Sequence, residues 1–139
     1  MQSLLDVNVL VALFWPQHAK HQAAKEWFQQ QAGVRGGWAT CAITQAGFVR
    51  VLSNPVVNQG ALSVLRTTLI LEENLKRPGH SLWCMDVNWP EALRLSGAAI
   101  DGFQQVTDLY LIGLAVKHKG RLVTFDRALG RLSERVVVI

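Results

Sequence analysis

Short apolar runs alternate with helical patterns along this chain, and that alternation constrains its fold more than any other feature. Ser3 to Asp6, Trp38 to Cys41, His80 to Met85, Arg121 to Phe125 and Val136 to Ile139 read as strands, the last at a sheet edge. The segments between them read as helices. Asn8 to Phe14 is stopped by Trp15-Pro16, and His18 to Gln31 places Ala19, Ala23, Trp27 and Phe28 on one face. Thr44 looks like the N-cap of a helix reaching Leu52, with Phe48, Val49 and Leu52 inward and Asn54-Pro55 at its end. Ala61 to Asn74, Pro90 to Leu95 and a brief Arg127 to Leu132 follow the same logic. Thr107 caps Asp108 to Lys119, which Gly120 closes. Gly33 to Gly37 reads as a turn. Strands separated by helices pair in parallel, so the chain is expected to form one α/β domain over residues 1–139 with a mostly parallel sheet.

Composition narrows the class. Half of the 139 residues are apolar and 17% are charged, which suits a globular protein rather than a disordered one. No apolar run approaches the ~18 residues a membrane span needs. The amino terminus lacks the basic start of a secretory signal, and Asp6 interrupts its apolar stretch. Cys41 and Cys84 have no metal-ligand spacing and are expected as reduced, buried thiols, so the simplest compartment is the cytoplasm. A net charge of +4 and a pI near 9.5 favour nucleic acid or another anionic partner.

In a chain this poor in acid, three aspartates stand out. Asp6 closes the first apolar run, Asp126 closes Leu122-Val123-Thr124-Phe125, and Asp108 opens an amphipathic stretch. Open α/β sheets bind ligands beyond the carboxyl ends of their strands, where strand order reverses. A helix start likewise favours a carboxylate or a phosphate. The three positions can therefore meet across about a hundred residues of sequence and form a metal pocket. Each could instead be a simple cap, although Asp6 precedes an apolar run that needs none. Magnesium suits oxygen donors of this kind, being held by one or two carboxylates plus substrate phosphate. Three crowded carboxylates should also raise at least one pKa. Asn8 either bonds the Asp6 carboxylate or starts the helix.

Other polar residues read differently. Asp86 looks like a turn residue beside Asn88 and Pro90, and Asp101 belongs to a loop. His18, His21, His80 and His118 form no metal pair and read as surface or packing residues. Six of the fourteen basic residues fall between Lys117 and Arg135. Arg127 and Arg131 near Asp126, and Arg50 in the middle of the chain, are candidate RNA contacts, because a basic rim beside an acidic pocket holds flanking phosphates. A solvated helix face is the plainer reading of the same charges. Five tryptophans offer stacking surfaces for unpaired bases or simply core packing.

Four blocks resemble the PIN-domain ribonucleases, and most of all the VapC toxins of bacterial toxin–antitoxin pairs. They are Asp6-Val7-Asn8-Val9-Leu10-Val11-Ala12-Leu13, the run from Ala42-Ile43-Thr44-Gln45 to Asn54-Pro55, Val106-Thr107-Asp108-Leu109-Tyr110-Leu111, and Val123-Thr124-Phe125-Asp126-Arg127-Ala128-Leu129. The resemblance implies a PIN-like three-layer α/β/α sandwich and a Mg²⁺-dependent endoribonuclease, with Mn²⁺ as an alternative ion. Its products would carry a 5′-phosphate and a 3′-hydroxyl. It also implies RNA as substrate, a homodimer and a cognate antitoxin whose tail occupies the cleft. By the same resemblance Asp6 and Asp108 bind metal and Asp126 completes the cluster. Thr107 and Thr124 occupy positions where a hydroxyl orders water or phosphate. The chain departs from the pattern at Gln45, where the family usually has a glutamate. Either the three aspartates suffice, or this copy is a weakened RNA- or antitoxin-binding module, or the glutamine is an engineered change. A phosphoryl-accepting regulatory domain fits less well, because Asp86 alone offers a mid-chain strand-end acid.

Overall fold

The computed structural model describes residues 1–32, 36–99 and 102–139. Asp101 and most of the turn expected at residues 33–37 lie outside them. The strands are β1 (Ser3–Leu5), β2 (Trp38–Thr40), β3 (His80–Leu82), β4 (Arg121–Thr124) and β5 (Val136–Val138). The helices are α1 (Val7–Phe14), α2 (His21–Trp27), α3 (Ala42–Leu52), α4 (Pro55–Asn58), α5 (Val64–Leu75), α6 (Trp89–Ser96) and α7 (Val106–Lys117). All pairings are parallel, in the order β3-β2-β1-β4-β5. Strands one to three are laid down outward on one side of β1, and β4 and β5 on the other. The order therefore reverses between β1 and β4, and β5 is an edge as expected.

Side chains alternate across each strand, so every strand feeds two cores. Leu5, Trp38 and Val123 point to one face and pack with Leu10 and Phe14 of α1, Phe48 and Leu52 of α3 and Leu71 of α5. Leu4, Ala39 and Leu122 point to the other and pack with Ala92 of α6 and Leu111, Ile112, Leu114 and Ala115 of α7. The result is a three-layer α/β/α sandwich. Helices α6 and α7 approach so closely that a Cβ at Gly113 would collide with the Ala92 carbonyl. Among the described residues no helix is long and apolar enough to cross a membrane.

Several local expectations are corrected by the packing. Helix α2 starts at His21 rather than His18, which rotates its inward face: Ala24 and Phe28 are buried while Ala19 and Ala23 are exposed. The segment continues as a π-helical turn, Phe28–Ala32. Cys41, not Thr44, is the N-cap of α3, and Thr44 closes a capping box by accepting from the Cys41 N–H at 2.9 Å. Ser63 caps α5, so the stretch from Ala61 is not yet helix. Helix α7 starts at Val106 behind Gln105, and Thr107, exposed in the first turn, does not cap it. At its other end Lys119 adopts φ 56 and the amides of Lys119 and Gly120 bond Val116 and Ala115, a Schellman close. Gly120 is required there for space, since a Cβ would meet Trp83 and the Gln2 carbonyl. Cys41 is buried as expected, but Cys84 is exposed.

Candidate active site

The site begins with strand register. Leu5 of β1 lies opposite Val123 of β4, so the next residues, Asp6 and Thr124, meet as the two strands end. The Asp6 amide continues the ladder to the Val123 carbonyl at 2.9 Å. One Asp6 carboxylate oxygen accepts from the Val7 N–H at 2.7 Å, so Asp6 does cap α1, contrary to the expectation that the run needs no cap. The other accepts from the Thr124 hydroxyl at 2.7 Å. That hydroxyl in turn accepts from Asn8 Nδ2 at 3.0 Å and from the Asp126 amide at 3.1 Å. Asn8 Oδ1 accepts from the Phe125 amide at 3.2 Å. Asn8 therefore reaches Asp6 only through Thr124, from the second position of α1. Asp126 is exposed and accepts from the Ala128 amide at 2.8 Å, an Asx turn that fixes its direction.

Asp108 arrives from the opposite layer, in the first turn of α7. It is half-buried, and no hydrogen bond to its carboxylate is found among the described residues. Asp6, Asp108 and Asp126 line one cleft of about 400 Å³, together with Asn8, His18 and an apolar wall of Val7, Val11, Val51 and Val57. The cleft lies at the β1/β4 reversal, where an open sheet leaves room between the loops.

The carboxylates sense one another. Burial pushes the Asp108 carboxyl up to about 6, with the charges of Asp6 and Asp126 adding to it. Burial also raises Asp6, reinforced by Asp126 and opposed by the bonds from Thr124 and Val7. Among the described residues no three His, Cys, Asp or Glu side chains converge into a ready-made metal cage. The donors are nonetheless all oxygen, they lie in an open cleft, and two of them bear their charge at a cost that a hard divalent cation would relieve. The cleft can therefore accept a cation shared between one or two carboxylates and a phosphate.

The remaining candidates are placed as follows. Gln45 sits in the first part of α3 and donates from Nε2 to the Thr40 hydroxyl at 2.9 Å, and His80 Nε2 is 2.9 Å from the same oxygen. It is not among the residues lining the acidic cleft. Thr107 is exposed beside Asp108 and does not line it either. Thr124 is fully buried, with its hydroxyl committed to Asp6, Asn8 and Asp126. Arg50, Arg127 and Arg131 are exposed, and among the described residues none forms an ion pair. Asp86 faces His118 at 3.3 Å, away from the cleft. Trp38 and Trp83 are buried and Trp15, Trp27 and Trp89 half-buried, which favours packing for all five. His18 is the cleft residue that sequence reasoning passed over. Its only sequence signal is its place just after the Trp15-Pro16 stop, and that says nothing of where the following loop turns.

Comparison with known proteins identifies the family. The PIN domain family model matches residues 3–135. Ribonuclease VapC39 of Mycobacterium tuberculosis (strain H37Rv) is 43% identical over 93% of this chain and 91% of its own length. Ribonuclease VapC44 of the same organism is 40% identical over 93% and 89%. Among solved structures, Mycobacterium tuberculosis VapC20, a Sarcin-Ricin loop cleaving toxin, superposes with a TM-score of 0.64 at 12% identity, covering 93% of each chain. VapBC2 from Rickettsia felis, bound to a DNA fragment from its promoter, gives 0.64 at 16% identity over 100% of this chain and 98% of the other. The structural neighbours share the fold, and the sequence relatives share nearly the whole chain: the protein belongs to the PIN-domain family, on its VapC branch.

Proposed function

We propose that this protein is a VapC-type toxin, a divalent-metal-dependent endoribonuclease held in check by a cognate antitoxin. The observation that carries the reading is the meeting of Asp6, Asp108 and Asp126 in one cleft at the β1/β4 reversal. Asp6 and Asp108 would hold the ion, magnesium or manganese, with Asp126 completing the oxygen set. Once bound, such an ion activates water and offsets charge developing on a phosphodiester. The chain's own residues do the rest. Thr124 and the Val7 amide fix both oxygens of Asp6, so the carboxylate meets its ligand without reorganising. The Asx turn at Asp126 keeps the exposed acid at the mouth of the cleft. Arg127 and Arg131, exposed on the following segment, and Arg50 near the end of α3 would hold flanking phosphates of RNA. The apolar wall of Val7, Val11, Val51 and Val57 lowers the local dielectric and strengthens these charges.

The relatives named ribonucleases support RNA as substrate, and the VapBC neighbour supports an antitoxin partner. A homodimer and a cytoplasmic setting follow from the family reading. The test is cleavage of RNA with and without a chelator. Wild-type protein is expected to cut in magnesium and stop when the ion is removed. Asp6→Asn is expected to lose roughly 10²–10³-fold in rate. Full activity in that variant would remove Asp6 from the mechanism.

One observation favours a second reading, that of a weakened RNA- or antitoxin-binding module. Gln45 carries no charge and is tied to Thr40 outside the cleft. RNA binding without cleavage by the wild type, with cutting restored in Gln45→Glu, would decide for it.

A further inference from the structure

The turn between α1 and α2 folds back over the acidic cleft and brings two groups that the site described above does not use. His18 lines the cleft beside the three aspartates. Its ring is fixed: Nδ1 accepts from the Lys20 amide at 3.0 Å, so in the neutral ring the proton sits on Nε2. The loop itself is held by the His18 amide bonding Trp15 and the His21 amide bonding His18, both at 3.0 Å. Burial, followed by the charges of Lys20 and His21, lowers the His18 pKa, so the ring is a neutral donor near pH 7.5. Lys20 is exposed, and its ammonium stands 4.6 Å from the centre of the Phe125 ring, next in sequence to Asp126. A cation thereby stands over Phe125, the neighbour of Asp126 in the cleft wall, although Lys20 itself does not line the cleft.

Resting on the nuclease reading, we propose that His18 Nε2–H and Lys20 Nζ form a two-pronged clamp for an RNA phosphate flanking the scissile one. A neutral N–H inside and a cation at the rim suit a phosphodiester, whose single charge needs a counter-charge and whose free oxygens need donors. Both side chains come from one short, internally bonded turn, so their spacing is set before RNA arrives. The clamp positions substrate, and neither residue transfers a proton.

The two prongs differ in charge, and that makes them separable. Binding of a labelled single-stranded RNA of about 12 nucleotides is measured in magnesium against salt concentration at pH 7.5. The Asp6→Asn background keeps the RNA uncut. Lys20→Met keeps the stem on Phe125 but removes a cation, so affinity falls and the log–log salt slope becomes shallower by about 0.7. His18→Ala loses roughly tenfold in affinity with the slope unchanged. His18→Asn, which keeps a donor, recovers part of that loss. Melting temperatures taken in parallel show whether a variant is folded, and the Lys20 arm stands by itself if His18→Ala is not. Unaltered RNA affinity in Lys20→Met and His18→Asn alike overturns the clamp, as does a His18→Ala slope change equal to that of Lys20→Met. If the wild type cuts RNA while these variants bind normally, only the clamp falls. If it neither binds nor cuts RNA, the nuclease reading falls with it.

Discussion

Asp6 and Asp108 face the same cleft, but the two halves of the site that carry them are built in opposite ways. On the strand side every polar group has a partner. Asp6, Thr124, Asn8 and Asp126 form one hydrogen-bonded unit that inherits its geometry from the β1/β4 register. On the helix side Asp108 enters from the first turn of α7, behind Gln105, which makes no side-chain cap, with its carboxyl raised to about 6. One half is organised by bonds, and the other is held poised by burial and like charge. The difference teaches that the strand half has its shape before any ligand binds, whereas the helix half gains most from a cation.

The largest effect expected from breaking the comparison is on the strand side. Thr124→Val preserves shape but leaves Asp6, Asn8 and the Asp126 amide each short of a partner. Cleavage should fall roughly ten- to a hundredfold, with about 1–3 kcal/mol of stability lost. An unaltered single-turnover rate would show that the network does not orient Asp6. The next effect displaces the helix half alone. Gly113→Ala drives a methyl into the Ala92 carbonyl and should cost about 1–3 kcal/mol in urea unfolding. Because α7 then shifts against α6, Asp108 moves while the Asp6–Thr124 bond stays. Reduced activity with a normal protein spectrum around β1 and β4 is the expected signature.

The smallest effect has a sign that distinguishes the halves most sharply. The Asp108 carboxyl titrates at about 6 in the fold against 3.8 in the unfolded chain. Between those values the folded state holds more protons, so stability falls as pH rises through the window. Below 3.8 the contribution is fully present, and above about 6 it is lost. Asp108→Asn should therefore be more stable than wild type at pH 7.5, by about 1 kcal/mol once screening of a half-exposed group is allowed for. The gain should vanish near pH 4. Melting curves at the two pH values check this. A destabilised variant at pH 7.5 would mean that Asp108 has a partner in the fold.

How far the sequence reached is clearest at particular residues. Asp6 and Asp126 were legible because an apolar run that stops at an acid marks a strand's carboxyl end, and the helix–strand alternation already demanded a parallel sheet. The edge position of β5 was legible for the same reason. The inward face of α2 was not, because three residues before His21 that look helical form the turn holding His18 and Lys20. Thr107 reads as a cap, yet packing lets α7 begin at Val106, two residues before the expected start at Asp108. The Gln45–Thr40 bond joins a helix to a strand end, and no local pattern encodes it.

Sequence by itself determined the alternation of helix and strand, the parallel sheet and the presence of acids at its carboxyl edge, since periodicity and chain connectivity leave few other ways to bury these apolar faces. Tertiary structure alone decided which polar atoms meet. Thr124 braces Asp6, Lys20 settles over Phe125, and His18 turns into the cleft, because hydrogen bonds and burial between distant segments depend on register and loop path. Those quantities exist only once both segments are in place.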